Sequence, residues 1–189
     1  MSVPFILFVL SLAGAAASVW VNGPDFGFAF LICAISAVAA GLLILRGLVR
    51  VKARYIVVDG SNVMHWRNET PSMKTVQLVV GRLIEQGFVP VVWFDANVGY
   101  KIGDHYLGPY PLSRMLGVSV RQVFVAPKGT PADPLLLNAA KALSARVITN
   151  DRFRDWVDSH PQIKEAGFLV QGTVQGNAVT LESDALVAA

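Results

Sequence analysis

The chain has 189 residues, of which 53% are apolar and 15% charged, with a formal net charge of +3. That composition is skewed for a soluble protein, and a single cysteine, Cys33, excludes an intrachain disulfide framework. The skew has a location, because across residues 1–45 the only charged side chain is Asp25.

Two apolar runs of 19 residues, 3–21 and 27–45, fill that segment. At about 1.5 Å rise per residue each makes a helix of roughly 28 Å, close to the hydrocarbon thickness of a bilayer. Between them "NGPDF" is rich in helix breakers. The expectation is a transmembrane helical hairpin over 1–46. Two buried core helices are disfavoured because neither run has a polar face. A cleaved signal peptide would suit "AGAAAS", but no basic residue precedes the first run. Arg46, Arg50, Lys52 and Arg54 come after the second run, so 47–54 reads as a basic juxtamembrane linker. The positive-inside rule then places the segment after Leu45 on the cytoplasmic side of the inner (cell) membrane, in a multi-pass protein. In such a place the sequon Asn68-Glu69-Thr70 is read as coincidence.

From Tyr55 the pattern changes to short apolar runs alternating with longer amphipathic ones, which predicts an α/β domain over 55–182 with a mainly parallel sheet. Residues 183–189 are left as a tail. Strands are expected over 55–58, 91–94, 121–125, 146–149 and 168–170. A helix is expected over 71–87, with Pro71 near its first turn and Gly87 as carboxyl cap. A second spans 132–145, with Asp133 at its amino end and Pro134 in its first turn. A third, short one covers "DRFRDWVDSH" and stops before Pro161. The stretch "GFLVQGTVQGNAVTLE" predicts a strand and a hairpin around Gly176-Asn177.

Right-handed crossovers bring the carboxyl ends of parallel strands to one edge, where ligands bind. Asp59, Asp95 and Asp151 then share that edge, and Asp133 faces the same crevice. Two unit charges about 4 Å apart repel by about 4 kcal/mol at an effective dielectric of about 20. Such a group therefore holds protons or a cation. All-oxygen ligation points to Mg²⁺ or Mn²⁺ rather than zinc, and His65, His105 and His160 lack metal-binding spacing.

The motifs "VVDGSNV", "VVWFDAN", "KGTPADPLLLNAA" and "VITNDRFRDW" together resemble the NYN-domain ribonucleases, PIN-like nucleases that include the Regnase type, over roughly 54–172. The resemblance implies a PIN-like three-layer fold and endonucleolytic hydrolysis of RNA. It implies that Asp59, Asp133 and Asp151 are the metal-centre acids and that Asn62 positions water or phosphate. Asp95 occupies a place where related chains carry another acid or polar group, and Asp155 closes the last motif as a supporting residue. Ser61, Lys128, Arg152 and Arg154 flank the site as substrate contacts. One departure is plain: Regnase-type members carry two adjacent acids before the helix, and here the pair is Ala132-Asp133.

The competing readings are fewer. A haloacid-dehalogenase-type site wants an acid where Ser61 stands, an integrin-type site is broken by Val63, and no Gly-rich Lys-Ser/Thr loop is present, so no nucleotide cofactor is expected. An RNA-binding module with a weakened centre and a DNA flap nuclease remain as alternatives. The expected partners are RNA and the lipid bilayer, with room for a homo-oligomer. Trp66, Tyr100, Tyr106 and Tyr110 are read as core or loop-anchoring aromatics rather than base-stacking ones. Without Asp25, 16 basic and 12 acidic residues leave +4, mild support for a polyanionic substrate.

Overall fold

The computed structural model describes residues 2–23, 27–48, 53–67 and 70–182. Asp25, Arg50, Lys52, the Asn68-Glu69 pair of the sequon and the tail 183–189 lie outside the described residues. The chain divides into two compact units, Met1–Lys52 and Ala53–Ala189.

The first unit is a pair of helices, α1 (Ser2–Asn22) and α2 (Phe28–Leu48). Both are long and apolar enough to cross a membrane. Their large apolar side chains point outward as well as inward: Phe5, Leu10, Phe28 and Ile35 are all more than half exposed. Such a surface is costly in water and suited to lipid.

The second unit runs β1 (Arg54–Asp59), α3 (Gly60–Val63), α4 (Met73–Glu85), β2 (Phe88–Phe94), α5 (Val98–Ile102), α6 (Pro109–Leu116), β3 (Val123–Val125), α7 (Ala132–Leu143), β4 (Val147–Ile148), β5 (Leu169–Val170), β6 (Gly172–Gln175) and β7 (Ala178–Leu181). The first five strands form a parallel sheet in the order β3-β2-β1-β4-β5, and β6 and β7 pair antiparallel. Alternation along β1 builds the layers. Ile56 and Val58 pack with Val76, Val79 and Leu83 of α4 and Leu112 of α6. Val57, between them, packs with Leu136, Leu137 and Ala140 of α7 on the other face. Burial on both faces explains why the central strands read as unbroken apolar runs. The result is an α/β, PIN-like three-layer fold.

All five predicted strands are present. Pairing extends β2 back to Phe88 along the whole of β1. The third strand is shortened because Val120–Gln122 form a 3₁₀ turn closed by a Ser119/Gln122 capping box. The first soluble helix begins at Met73, after Ser72, so Pro71 lies before it rather than in its first turn. The second ends at Leu143, with Ser144 in the left-handed region. Three departures matter more. Helices α5 and α6 occupy a stretch where the sequence suggested none. The helix expected over "DRFRDWVDSH" is reduced to a 3₁₀ turn, Arg154–Trp156, because Asp151 Oδ1 captures the Phe153 amide and Phe153 takes φ 46°. Pro161 opens a further 3₁₀ turn instead of closing a helix. The hairpin forms as expected, Gly176 supplying a positive φ of 58° at its turn.

Gly60 is a closely packed point of the site's scaffold. A methyl group there would run into the ring of Phe94, which is fully buried and cannot yield. Gly81, on α4, has nothing within 4 Å of the same position. Gly60→Ala should therefore cost about 1–3 kcal/mol, and Gly81→Ala should gain about 0.5–1 kcal/mol from helix propensity. Thermal unfolding of the full chain in detergent should show the first melting about 5 °C lower and the second slightly higher.

Candidate active site

The carboxyl ends of β1, β2 and β4 lie side by side, and each passes directly into a polar residue. Asp59 ends β1 and is only 8% exposed. Its Oδ1 accepts the backbone N–H of Asn62 at 3.0 Å, capping the short helix α3, and its Oδ2 accepts the hydroxyl of Thr149 at 3.0 Å. Thr149 is fully buried after β4, and its oxygen in turn accepts the backbone N–H of Asp151 at 3.1 Å. One relay of hydrogen bonds thus ties the ends of neighbouring strands together.

Asn62 is held as tightly. Its Oδ1 accepts both Trp66 Nε1 at 2.8 Å and the Asn150 backbone N–H at 2.9 Å. Both partners are donors only, which fixes the orientation of the amide. With both lone pairs engaged, Asn62 presents its NH₂ group to any ligand. Asn150 pairs reciprocally with Gly172, donating from Nδ2 to the carbonyl at 2.9 Å and accepting the N–H at 3.0 Å. A methyl group at Gly172 would stand 2.6 Å from the Trp66 ring and 2.7 Å from the Thr180 carbonyl oxygen, so only glycine lets these layers close.

Asp95 comes directly after β2. Its backbone N–H donates to Ser61 Oγ at 2.9 Å, and its Oδ2 lies 3.3 Å from Lys101 Nζ of α5. Asp133, in the first turn of α7, accepts Trp156 Nε1 on Oδ2 at 3.2 Å. Asp151 is exposed, with Oδ1 turned back onto the Phe153 amide.

These acids lie within electrostatic reach of one another. Burial pushes the Asp59 carboxyl up to about 7, against the lowering effect of the Asn62 amide and the Thr149 hydroxyl, and the charges of Asp133 and Asp95 push it further. Asp133 is also raised, by burial first and then by Asp151, Asp95 and Asp155, while Trp156 lowers it. The structure therefore brings Asp59, Asp95, Asp133, Asp151 and Asp155 to one edge. Among the described residues, however, no three Asp, Glu, His or Cys side chains stand close enough to chelate one ion together. The donor set fits a hard cation that takes one or two carboxylates directly and fills its shell with water, the habit of Mg²⁺.

Ser61 accepts a structural hydrogen bond. Lys128, Arg152 and Arg154 are exposed, and none makes an ion pair among the described residues. Trp66 anchors its loop as expected, whereas Tyr100, Tyr106 and Tyr110 are exposed and do not enter the core, since α5 buries Val98 and Gly99 and α6 buries Leu112, Ser113 and Leu116 instead. Thr149, Lys101 and Trp156 were not singled out from the sequence. A polar residue ending a buried strand was the available signal for Thr149, and Trp156 closes the quoted motif "VITNDRFRDW"; for Lys101 there was no signal.

A family model described as "Zc3h12a-like Ribonuclease NYN domain" matches residues 52–168. Among solved structures, nuclear proteinaceous RNase P 2 (PRORP2) from A. thaliana is similar with TM-score 0.55 at 17% identity, over 75% of this chain and 32% of that one. A second structure, of Arabidopsis thaliana nuclear protein-only RNase P 2, gives TM-score 0.50 at 15% identity, over 92% and 36%. The chain thus spans about a third of the length of those proteins, and the likeness is one of fold. No curated protein matches it in sequence.

A raised acid pKa has a defined consequence for stability. An acid whose folded pKa lies above its unfolded one stabilises the fold below the unfolded value and loses that contribution as pH climbs through the folded value. For Asp59, raised from 3.8 to about 7, the loss runs across that window and amounts to about 4 kcal/mol at most. In chelator, the full chain should melt lower at about pH 8 than at about pH 5 by thermal unfolding, Asp59→Asn should flatten the difference, and added Mn²⁺ should restore the wild type selectively at the higher pH.

Proposed function

This chain belongs to the Zc3h12a-like ribonuclease NYN domain family, and we propose from that premise that it is a membrane-anchored, divalent-metal-dependent endoribonuclease. The observation that carries the metal is Asp59, a buried carboxyl held near neutrality by its surroundings beside other acids. Such a group is stable at neutral pH either protonated or next to a cation. Mg²⁺ or Mn²⁺ bound there would supply charge neutralisation and Lewis-acid polarisation of a phosphodiester.

The chain's own residues would do the rest. Asp59, Asp133 and Asp151 are the residues that would hold the ion. Thr149 and the Asn62 amide fix both oxygens of Asp59, so its plane is set before a ligand arrives. Asn62 donates from its NH₂ group to a phosphate oxygen or to the attacking water. Asp95 shapes the field while paired with Lys101. Ser61, Lys128, Arg152 and Arg154 meet phosphates of the substrate, and Asp155 adds negative charge beside Asp133 as a supporting residue. Because α1 and α2 are long and apolar enough to span a bilayer, we place the nuclease at the cytoplasmic face of the inner membrane, on the side marked by the basic residues after α2.

One observation favours a second reading, an RNA-binding module of the same fold with weak catalysis. Ala132 stands buried at the amino end of α7, where Regnase-type chains have an acid, and it cannot be a ligand.

The two readings separate in a cleavage assay on the full chain in detergent with labelled RNA. The enzyme reading expects Mn²⁺-dependent cleavage that chelator abolishes, with Asp151→Asn lowering the rate on the order of 100-fold or more while RNA binding persists. Thr149→Val should weaken metal affinity by about 10–100-fold without touching substrate. Equal rates for wild type and Asp151→Asn would leave the binding module as the better description.

A further inference from the structure

The crossover from β2 to β3 begins at the carboxyl edge of the sheet, after Phe94, and reaches the amino edge only at the 3₁₀ turn before Val123. Lys101 of α5 is tied to Asp95, and the loop before α6 packs back on α5, the His105 carbonyl and the Leu107 amide closing on Gly99, which keeps residues 95–107 together beside that edge. Three large aromatic rings stand in this crossover: Tyr100 on α5, Tyr106 in the loop, and Tyr110 in the first turn of α6. They are 60%, 57% and 67% exposed. Their hydroxyls make no hydrogen bond among the described residues, and although the Tyr106 ring lies beside Gly108, all three rings leave most of their surface open. Isolated exposed tyrosines are ordinary; three in eleven residues, on a segment pinned to the acidic site, are not. The pin is Lys101, next to Tyr100, whose Nζ lies 3.3 Å from Asp95 Oδ2. The neighbouring strand, β3, leads into the loop carrying exposed Lys128, which adds a cation on the same side.

We propose that Tyr100, Tyr106 and Tyr110 form a stacking surface for the bases of single-stranded RNA, which names the substrate class of the ribonuclease site and rests on that reading. Every base has a π-face, so such rings hold a strand without reading its sequence, and cations at either end of the edge (Lys128 on one side, Arg152 and Arg154 on the other) track its phosphates. A duplex keeps its bases stacked on one another and offers these rings nothing. The order of strands sets the path: a single strand would cross from the tyrosines beyond β2, past the acids, to the arginines after β4.

The test is fluorescence anisotropy of the full chain in detergent with a labelled oligouridylate in chelator, against an RNA duplex of the same length. The expected result is that the Tyr100→Ala, Tyr110→Ala double variant binds the single strand about 10-fold or more weakly, with the salt dependence unchanged because no phosphate contact is removed. The Tyr100→Phe, Tyr110→Phe variant keeps wild-type affinity, since stacking needs the ring and not the hydroxyl. Single-strand affinity unchanged in the alanine variant overturns the proposal, as a lipid-facing role for the rings would require. Equal wild-type affinity for duplex and single strand, or no RNA binding at all, overturns it too. Tyrosine-dependent binding by a wild type that cleaves nothing in Mn²⁺ supports the stacking surface and sinks the ribonuclease. Asp151-dependent cleavage with binding indifferent to the tyrosines does the reverse.

Discussion

A carboxylate at the closed end of a parallel strand is expensive, and the architecture of the second unit is arranged around that cost. Asp59 is nearly out of water, so its charge has lost most of its hydration. Two hydrogen bonds, from the Asn62 amide and the Thr149 hydroxyl, favour the ionised form, and they do not win: burial and the neighbouring acids hold the carboxyl near neutrality. A structural aspartate would be left with its hydrogen bonds and a low pKa. The carboxyl stays raised despite two well-formed donors because burial outweighs them and the charges of Asp133 and Asp95 add to it.

The same donors are what make the edge rigid. Asn62, Trp66, Asn150 and Gly172 form a closed circuit of hydrogen bonds and ring contact that joins the loop after β1 to the loop after β4 and to the hairpin β6–β7. Thr149 crosses it from below, linking Asp151 to Asp59. Side chains that look like chemistry in the sequence are thus half scaffold. Asn62 has spent its oxygen on the protein and keeps only its amide nitrogen for a ligand, which narrows its role to a donor.

The β/α alternation and the strand-terminal acids were legible because both arise from local rules: β-branched runs of strand length, breakers between them, and the topology that sends parallel strand ends to one edge. The illegible features depended on contacts between distant residues. The stretch 152–160 has helical composition, and an Asx turn at Asp151 with Phe153 at positive φ overrides it. Helices α5 and α6 are too short to show a period, and they are stabilised by docking rather than by propensity. Lys101 reads as a solvated lysine until α5 folds and brings it to Asp95. The spacing between acids was equally invisible, since sequence gives convergence on an edge but not the distances that separate a shared ligand cage from a looser ring.

That looser ring has an internal division. Asp95 already has its cation: Lys101 sits at 3.3 Å, with both side chains about a third exposed, and such a pair contributes little to stability. Its effect is on the field. By pairing with one acid of the group, it reduces the repulsion that Asp59 and Asp133 feel from Asp95; among the described residues Asp59, Asp133 and Asp151 make no ion pair. The same contact fastens the amino end of the β2–β3 crossover, and with it Tyr100, to the acidic edge. A single surface ion pair of small energy therefore does two positional jobs, separating Asp95 from the acids that face the opening and fixing where the exposed rings stand relative to them.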